Sequence, residues 1–374
     1  MNSKGILLYL GGFELPDKNA AAQRVISNAK ALRELGFTVV FLGVSHQKEA
    51  SEGILPLKYV EGFEYYEIAY PRSSTEWISY IIGINFFKKL FNKYQSIVKG
   101  IFLYNYPSIA SLKIIRIARE NNIKIFADCT EWYSYRKSNP LGIIKTLDTE
   151  LRMRFVNKRL DGVLAISKFL NTYYQKDVPS FNIPPLVDIK ESKWESIRLP
   201  TEDHLKLVYA GSPGRKDRLD MFISAVNICN FQVDLRIIGI TQIDFLNLYP
   251  ELKGIKFKNI SFLGRVSHQE ALNEVKSASF TCFFRDINKV SMAGFPTKFV
   301  ESISAGTPVI TNNTSDISDY CSKLNGCILV EDISVSSIVL ALERAYSNKR
   351  RIENYSIFDY RNYLSDFKEI TELF

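Results

Sequence analysis

Two successive runs of alternating strand and helix patterns dominate this chain and leave few architectures open to it. After Lys4, GILLYLGG is a continuous apolar run ending in two glycines, the pattern of a strand covered on both faces. A loop, FELPDKN, leads into AAAQRVISNAKALRELG, whose apolar residues recur at helical spacing and stop at a glycine; FTVVFLGV follows as the next strand. This strand, helix, strand unit of parallel sheet continues through GIFLYNY, PSIASLKIIRIAREN, NIKIFAD and DGVLAIS. The pattern restarts at LKLVYAG, residues 205 to 211, followed by the helix LDMFISAVNIC and the strand VDLRIIGI. ISFLG, FTCFF, TPVIT and GCILV are further strands, separated by helices such as HQEALNEVKSA and VSSIVLALERAYS. The expected class is α/β, with two doubly wound, Rossmann-like domains facing each other across a cleft. Residues 1–190 would form the first domain and 191–355 the second, with the polar stretch at 189 to 204 as linker. Residues 356–374, containing YRNYLSDFKEITELF, read as an amphipathic helix crossing back to the first domain.

A chain of 374 residues, 46% hydrophobic and 24% charged, can build a core in each half. The apolar run at the start is only roughly six residues long, too short for a signal peptide or a membrane span, so a cytoplasmic protein is expected. Cys129, Cys229, Cys282, Cys321 and Cys327 are odd in number and scattered, as core thiols of a reducing compartment would be. With only His46, His204 and His268, and neither CxxC nor HExxH, no zinc site is expected. The net charge of +8 is uneven: 26 Lys+Arg face 17 Asp+Glu up to Lys190, leaving 22 against 23 of the totals of 48 and 40. That bias suits an anionic partner such as a phospholipid surface; no zinc-finger, RNP or helix-turn-helix signature speaks for nucleic acid.

Ligands of open α/β sheets lie beyond the C-terminal ends of the strands, so four loops matter. In AGFPTKFVESISAGTPVI a loop from Arg285 to Phe295 leads to Pro296 as first helical residue, with Gly306 as the stop. The unpaired amides and positive dipole end around Thr297 disfavour Lys298 unless an anion is bound, and a phosphate is the natural one. Glu301, one turn on, can accept from a ribose diol; the plain alternative is a capped helix with a solvated lysine. In YAGSPGRKD the small residues Gly211 and Ser212 let a diphosphate approach the backbone, and Arg215 and Lys216 supply charge. The alternative is an exposed turn, and the absence of GxxxxGK[ST] disfavours an NTPase. Gly11 and Gly12 end the first strand, where they either admit a ligand or merely turn the chain. In DCTEWY, Asp128 and Glu131 would point toward the cleft, where either can orient or deprotonate an acceptor hydroxyl.

Together these segments, with DGVLAISKFL and FLGRVSHQEALNEVKSASF, resemble the family 4 glycosyltransferases, retaining enzymes of the GT-B fold. The resemblance implies that Glu301 carries the ribose of a nucleoside diphosphate sugar, that the loop Gly294, Phe295, Pro296 and Thr297 holds the diphosphate through the amides of its non-proline residues beside Lys298, and that Arg215 and Lys216 neutralise it. The segment around Arg265 and Val266 would wall the base, and Arg285 and Lys289 add charge. One departure stands out: eight positions before Glu301, where the family often has a second glutamate, this chain has Ala293. There is no DxD pair, so no metal and no cofactor is expected, with cations and helix amides stabilising the leaving group.

The implied activity is transfer of a sugar from a UDP- or GDP-sugar to a glycan or polyprenyl-diphosphate-linked acceptor in surface polysaccharide assembly. Residues 74 to 100, STEWISYIIGINFFKKLFNKYQSIVKG, are aromatic, apolar and basic, as an interfacial helix on anionic lipid would be, or a helix packed on the sheet with solvated lysines. Other readings of the same plan are a nucleotide-sugar 2-epimerase and a non-catalytic sugar-nucleotide-binding protein.

Overall fold

A computed structural model of the chain describes residues 3–16, 19–47, 56–133, 140–195, 204–214 and 217–374. It divides into two compact units: Met1–Val187 with Ala293–Phe295 and Asp359–Phe374, and Asp188–Met292 with Pro296–Phe358.

In the first unit the strands are β1 (Ile6–Gly11), β2 (Thr38–Ser45), β3 (Lys58–Val60), β4 (Phe63–Ala69), β5 (Val98–Tyr104), β6 (Lys124–Cys129), β7 (Gly162–Ala165) and β8 (Ser180–Asn182). They form one sheet in the order β3-β4-β2-β1-β5-β6-β7-β8, parallel throughout except for β3 against β4. All six residues of β1 are buried, because it is sandwiched between β2 (Leu8 opposite Val40) and β5 (Leu8 opposite Ile101) and covered on both faces. The helix Ala20–Glu34 starts where the Asn19 side chain accepts the amide of Ala22 at 2.9 Å, satisfying one otherwise orphaned donor. Stacked rings of Tyr9, Phe102 and Phe126 build the core on that face, and Phe374 sets its edge against Phe37, Phe102 and Phe126. The helix Leu364–Thr371 buries Phe367 and Ile370 in the same core.

Neither β3–β4 nor β8 was legible as a strand. KYV and SFN are too short to carry a period, and FEYYEIA places its two acids three residues apart, on opposite faces of a strand, so it shows no period of two. Residues 74 to 100 are not one helix: Ser74–Ile82 and Asn85–Tyr94 are separated at Gly83, which adopts an extended conformation, and Val98 already begins β5. The second helix buries Phe87, Leu90 and Phe91 and exposes Lys88, Lys89 and Lys93.

In the second unit, β9 (Leu205–Ala210), β10 (Val233–Ile238), β11 (Ile260–Gly264), β12 (Phe280–Phe283), β13 (Val309–Asn312) and β14 (Ile328–Val330) form an all-parallel sheet in the order β11-β10-β9-β12-β13-β14. Counted within the unit, the order is 3-2-1-4-5-6, the doubly wound arrangement in which the winding reverses between the first and fourth strands. That reversal places β9 and β12 side by side, so the loops that leave them lie at one edge of the sheet.

Candidate functional site

The loops at this reversal converge on one carboxylate. Asp217, 1% exposed at its side chain, accepts the Gly214 amide at 2.9 Å on Oδ2. Its Oδ1 lies 3.2 Å from Arg285 Nε and 3.5 Å from Lys298 Nζ. Arg285 follows β12 and is fixed by a reciprocal pair of bonds, its amide to Asn312 Oδ1 at 2.9 Å and its carbonyl from Asn312 Nδ2 at 2.8 Å. Lys298 also donates to the Tyr209 hydroxyl and lies 3.9 Å from the centre of that ring. Gly211 makes room for it: at φ +132° this residue occupies backbone space closed to side chains, and a Cβ there would stand 2.6 Å from Lys298 Cε. Burial, and then the charge of Asp217, hold the Tyr209 phenol well above its ordinary range, so it stays a neutral hydrogen-bonding group.

A lysine at a helix start calls for an anion, and the protein supplies one in Asp217. The helix is Thr297–Ser304; Pro296 is its N-cap, with extended backbone, and not its first residue as the sequence suggested. Proline still fits, since its missing N–H falls among donors the helix leaves unpaired anyway. No side chain caps this end. At the other end the amides of Gly306 and Thr307 bond back to Ile303 and Ser302 at 2.8 and 2.9 Å, closing the helix two-fold. Glu301, half-buried on the same helix, lies 3.4 Å from Nε2 of His268, the first residue of the helix His268–Ser277. Arg265, exposed, and Val266, half-buried, precede that helix in the loop after β11.

The structure thus gathers Gly211, Arg285 and Lys298 around Asp217, with Ser212 exposed on the same loop. Thr297 and Glu301 share the helix of Lys298, and Lys289 opens a short helix, Lys289–Ala293, inside what was expected to be loop. Gly294 is half-buried and Phe295 buried, both grouping with the first unit. Ala293 is fully buried and its carbonyl accepts the Ser167 hydroxyl at 2.8 Å. Arg215 and Lys216 lie outside the described residues. Sequence reasoning missed Asp217, Tyr209, Asn312 and His268; Asp217 had a signal, an acid directly after two cations at a strand end.

In the first unit, one candidate is corrected. Asp128 does not face solvent: it lies within β6, fully buried, accepts from Tyr9 Oη at 2.6 Å and from Arg24 Nε at 2.8 Å, and is ion-paired with Arg24 Nη2 at 2.7 Å. Arg24 itself donates to the carbonyls of Ile183 and Pro184. With both oxygens engaged by a buried cation, Asp128 is unavailable to an acceptor hydroxyl and instead ties the helix Ala20–Glu34 to the sheet. Glu131, two residues beyond the strand, is exposed. Gly11 is explained by packing, since a Cβ there would come within 2.6 Å of the Tyr104 Cβ and carbonyl oxygen; a Cβ on Gly12 would meet nothing within 4 Å.

Residues 204–348 match the family model of the Glycosyl transferases group 1. Solved structures resemble the chain over its full length. They include sucrose-phosphate synthase from Thermosynechococcus elongatus (12% identity, 98% of each chain, TM-score 0.70) and the catalytic domain of starch synthase IV from Arabidopsis thaliana bound to ADP and acarbose (9%, 99% of each, 0.71). HepE of Anabaena in complex with UDP and glucose is a third (12%, 99% of this chain and 100% of that one, 0.59). The fold is therefore GT-B. No curated protein sequence matches the chain. Among the described residues, no helix is long and apolar enough to cross a membrane.

Proposed function

We propose that the chain is a retaining glycosyltransferase of family 4, transferring a sugar from a UDP- or GDP-sugar to a glycan or polyprenyl-diphosphate-linked acceptor of surface polysaccharide assembly. The observation that carries this reading is the pair of partly exposed cations, Arg285 and Lys298, held on buried Asp217 at the point where the second sheet reverses its winding. Such a reversal point takes nucleotide ligands, and a cation pair fixed beforehand is suited to a diphosphate. The Anabaena HepE structure holds UDP and glucose, which is consistent with the donor class.

In the proposed reaction the diphosphate lies against Gly211 and Ser212, with Thr297 amides, Lys298, Arg285, Arg215 and Lys216 meeting the negative charge that grows as the sugar–phosphate bond breaks. Glu301 accepts from the ribose diol and Val266 borders the base. The acceptor oxygen attacks from the face the phosphate leaves, and the departing phosphate takes the proton, so no side-chain nucleophile is required. Cations and amides do the stabilising that a metal does elsewhere, and turnover in EDTA is expected. Thermal shift against nucleoside diphosphates and their sugars tests the donor: a ligand at 100 times its Kd stabilises by about 2.7 kcal/mol, and no shift with any of them removes the reading. Donor isomerised without acceptor would instead indicate the epimerase.

Attachment to the inner membrane face belongs to the same proposal. Lys88, Lys89 and Lys93 are exposed on one helix, and Ile78 and Ile82 are exposed on the helix before it. Flotation with anionic liposomes at low salt should carry the protein upward, and sedimentation without lipid would rule attachment out.

A further inference from the structure

The N-terminal edge of the first sheet, opposite the edge at which such folds usually take their ligands, holds a cavity of about 590 Å³. It is framed by residues that lead into three neighbouring parallel strands. Lys4 precedes β1, Gln95 and Ser96 precede β5 with Lys99 as its second residue, and Asn121 and Asn122 precede β6. Phe37 and Phe374 also line it, and no Asp or Glu does.

Both lysines are seated and not loose. Gly5 has φ +134°, backbone space closed to side chains, and a Cβ there would collide with Lys99 Cγ. The stem of Lys99 thus fills room that glycine leaves, as Lys298 does at Gly211 in the second unit. Lys4 lays its stem beside Gly36, 3.5 Å from where a Cβ would stand, and its Nζ is 5.7 Å from the centre of the Phe37 ring. Among the described residues neither ammonium makes an ion pair or a hydrogen bond.

The plain alternative is that these lysines satisfy the carbonyl ends of the helices Ala20–Glu34 and Ser108–Glu120. Those carbonyls are bonded already. The amides of Leu35, Gly36 and Phe37 return to Ala31, Arg33 and Leu32, and those of Asn121, Asn122 and Ile123 to Ala118 and Arg119. Asn121 Nδ2 takes the Ile117 carbonyl at 2.7 Å. Two like charges left in one cavity repel each other, and an anion between them removes that cost. Gln95 Nε2 donates to Asn121 Oδ1 at 2.8 Å, which fixes the Gln95 amide and leaves its carbonyl oxygen as an acceptor. The side chains of Ser96 and Asn122 have no hydrogen bond among the described residues.

We infer that this cavity binds a small phosphorylated polyol, its phosphate between Lys4 and Lys99 and its hydroxyls on Gln95, Ser96 and Asn122. A phosphate matches paired ammonium groups, and hydroxyls match an amide oxygen and a hydroxyl that are not already spent. The site stands apart from the donor reading and survives its failure.

Isothermal titration of the full chain with glucose 6-phosphate tests the site, with glucose and inorganic phosphate as the two halves of that probe. Glucose 6-phosphate should bind, inorganic phosphate should bind more weakly, and glucose should give no heat. Lys4→Gln and Lys99→Gln should each weaken binding about tenfold. Lys298→Gln should leave it unchanged, which separates this cavity from the proposed donor site. Wild-type melting temperatures in the Lys4 and Lys99 variants show that they fold. No heat with glucose 6-phosphate, undiminished binding in both of those variants, or loss in Lys298→Gln alone overturns the site. Lys99-dependent sedimentation with phosphatidic acid vesicles, without binding of glucose 6-phosphate, overturns the soluble ligand and gives the lysines to a lipid phosphate.

Discussion

Each unit places a buried carboxylate near the C-terminal end of its sheet, and the two differ in what their cations do. Asp128 holds Arg24, whose side chain is only 2% exposed and whose Nη1 donates to the carbonyls of Ile183 and Pro184. Asp217 holds Arg285 and Lys298, which remain 21% and 16% exposed at the reversal of the second sheet. The first pair is closed and structural, and the second keeps part of its charge open to solvent. A buried acid at a strand end is therefore not evidence of chemistry by itself; the exposure of its partner decides.

The sharpest way to break this contrast is to remove each acid. Asp128→Ala strands Arg24 without its counter-ion in the core, and urea unfolding should show a loss of about 3–5 kcal/mol. Activity per folded molecule should survive; an Asp128→Asn protein of normal stability but without activity would reverse the assignment. In the proposed donor site, Lys216→Ala should raise the barrier by about 2–4 kcal/mol, read as kcat/KM. Asp217→Asn leaves Lys298 and Arg285 without their anchor, and a rise of about tenfold in donor KM, ~1.4 kcal/mol, is expected from steady-state kinetics. A normal KM in that variant would mean the cations need no positioning. Smallest is Ser267→Ala, which deletes the capping box that Ser267 and Glu270 form at the helix carrying His268. About 1 kcal/mol of stability should be lost in thermal melts, with donor affinity kept, if the cap only holds the helix.

Much of the second unit was legible in the sequence because its strands are unbroken apolar runs bounded by glycine and polar turns, as LKLVYAG and VDLRIIGI show. The first unit was less so: Glu64 and Glu67 break the apolar pattern of β4, and Lys58 of β3, which pairs with Glu67 there, is announced by no local signal. At the candidate site, Gly211 and Lys298 were singled out from their places after a strand and at a helix start, and Arg285 through the family resemblance. Asp217, which organises them, was passed over as one more charge in a polar turn.

The alternation of buried strands and amphipathic helices, the restart at residue 205 and the loops able to carry chemistry were determined by the sequence, since periodicity and turn residues act over a few neighbours. The tertiary structure decided which charges meet: Arg24 reaches Asp128 across 104 positions, Arg285 reaches Asp217 across 68, and Lys298 reaches it across 81. Ion pairs depend on distance and burial in space, which strand order sets and local pattern does not, so the same residue type is a core tie in one sheet and the seat of a partly exposed cation pair in the other.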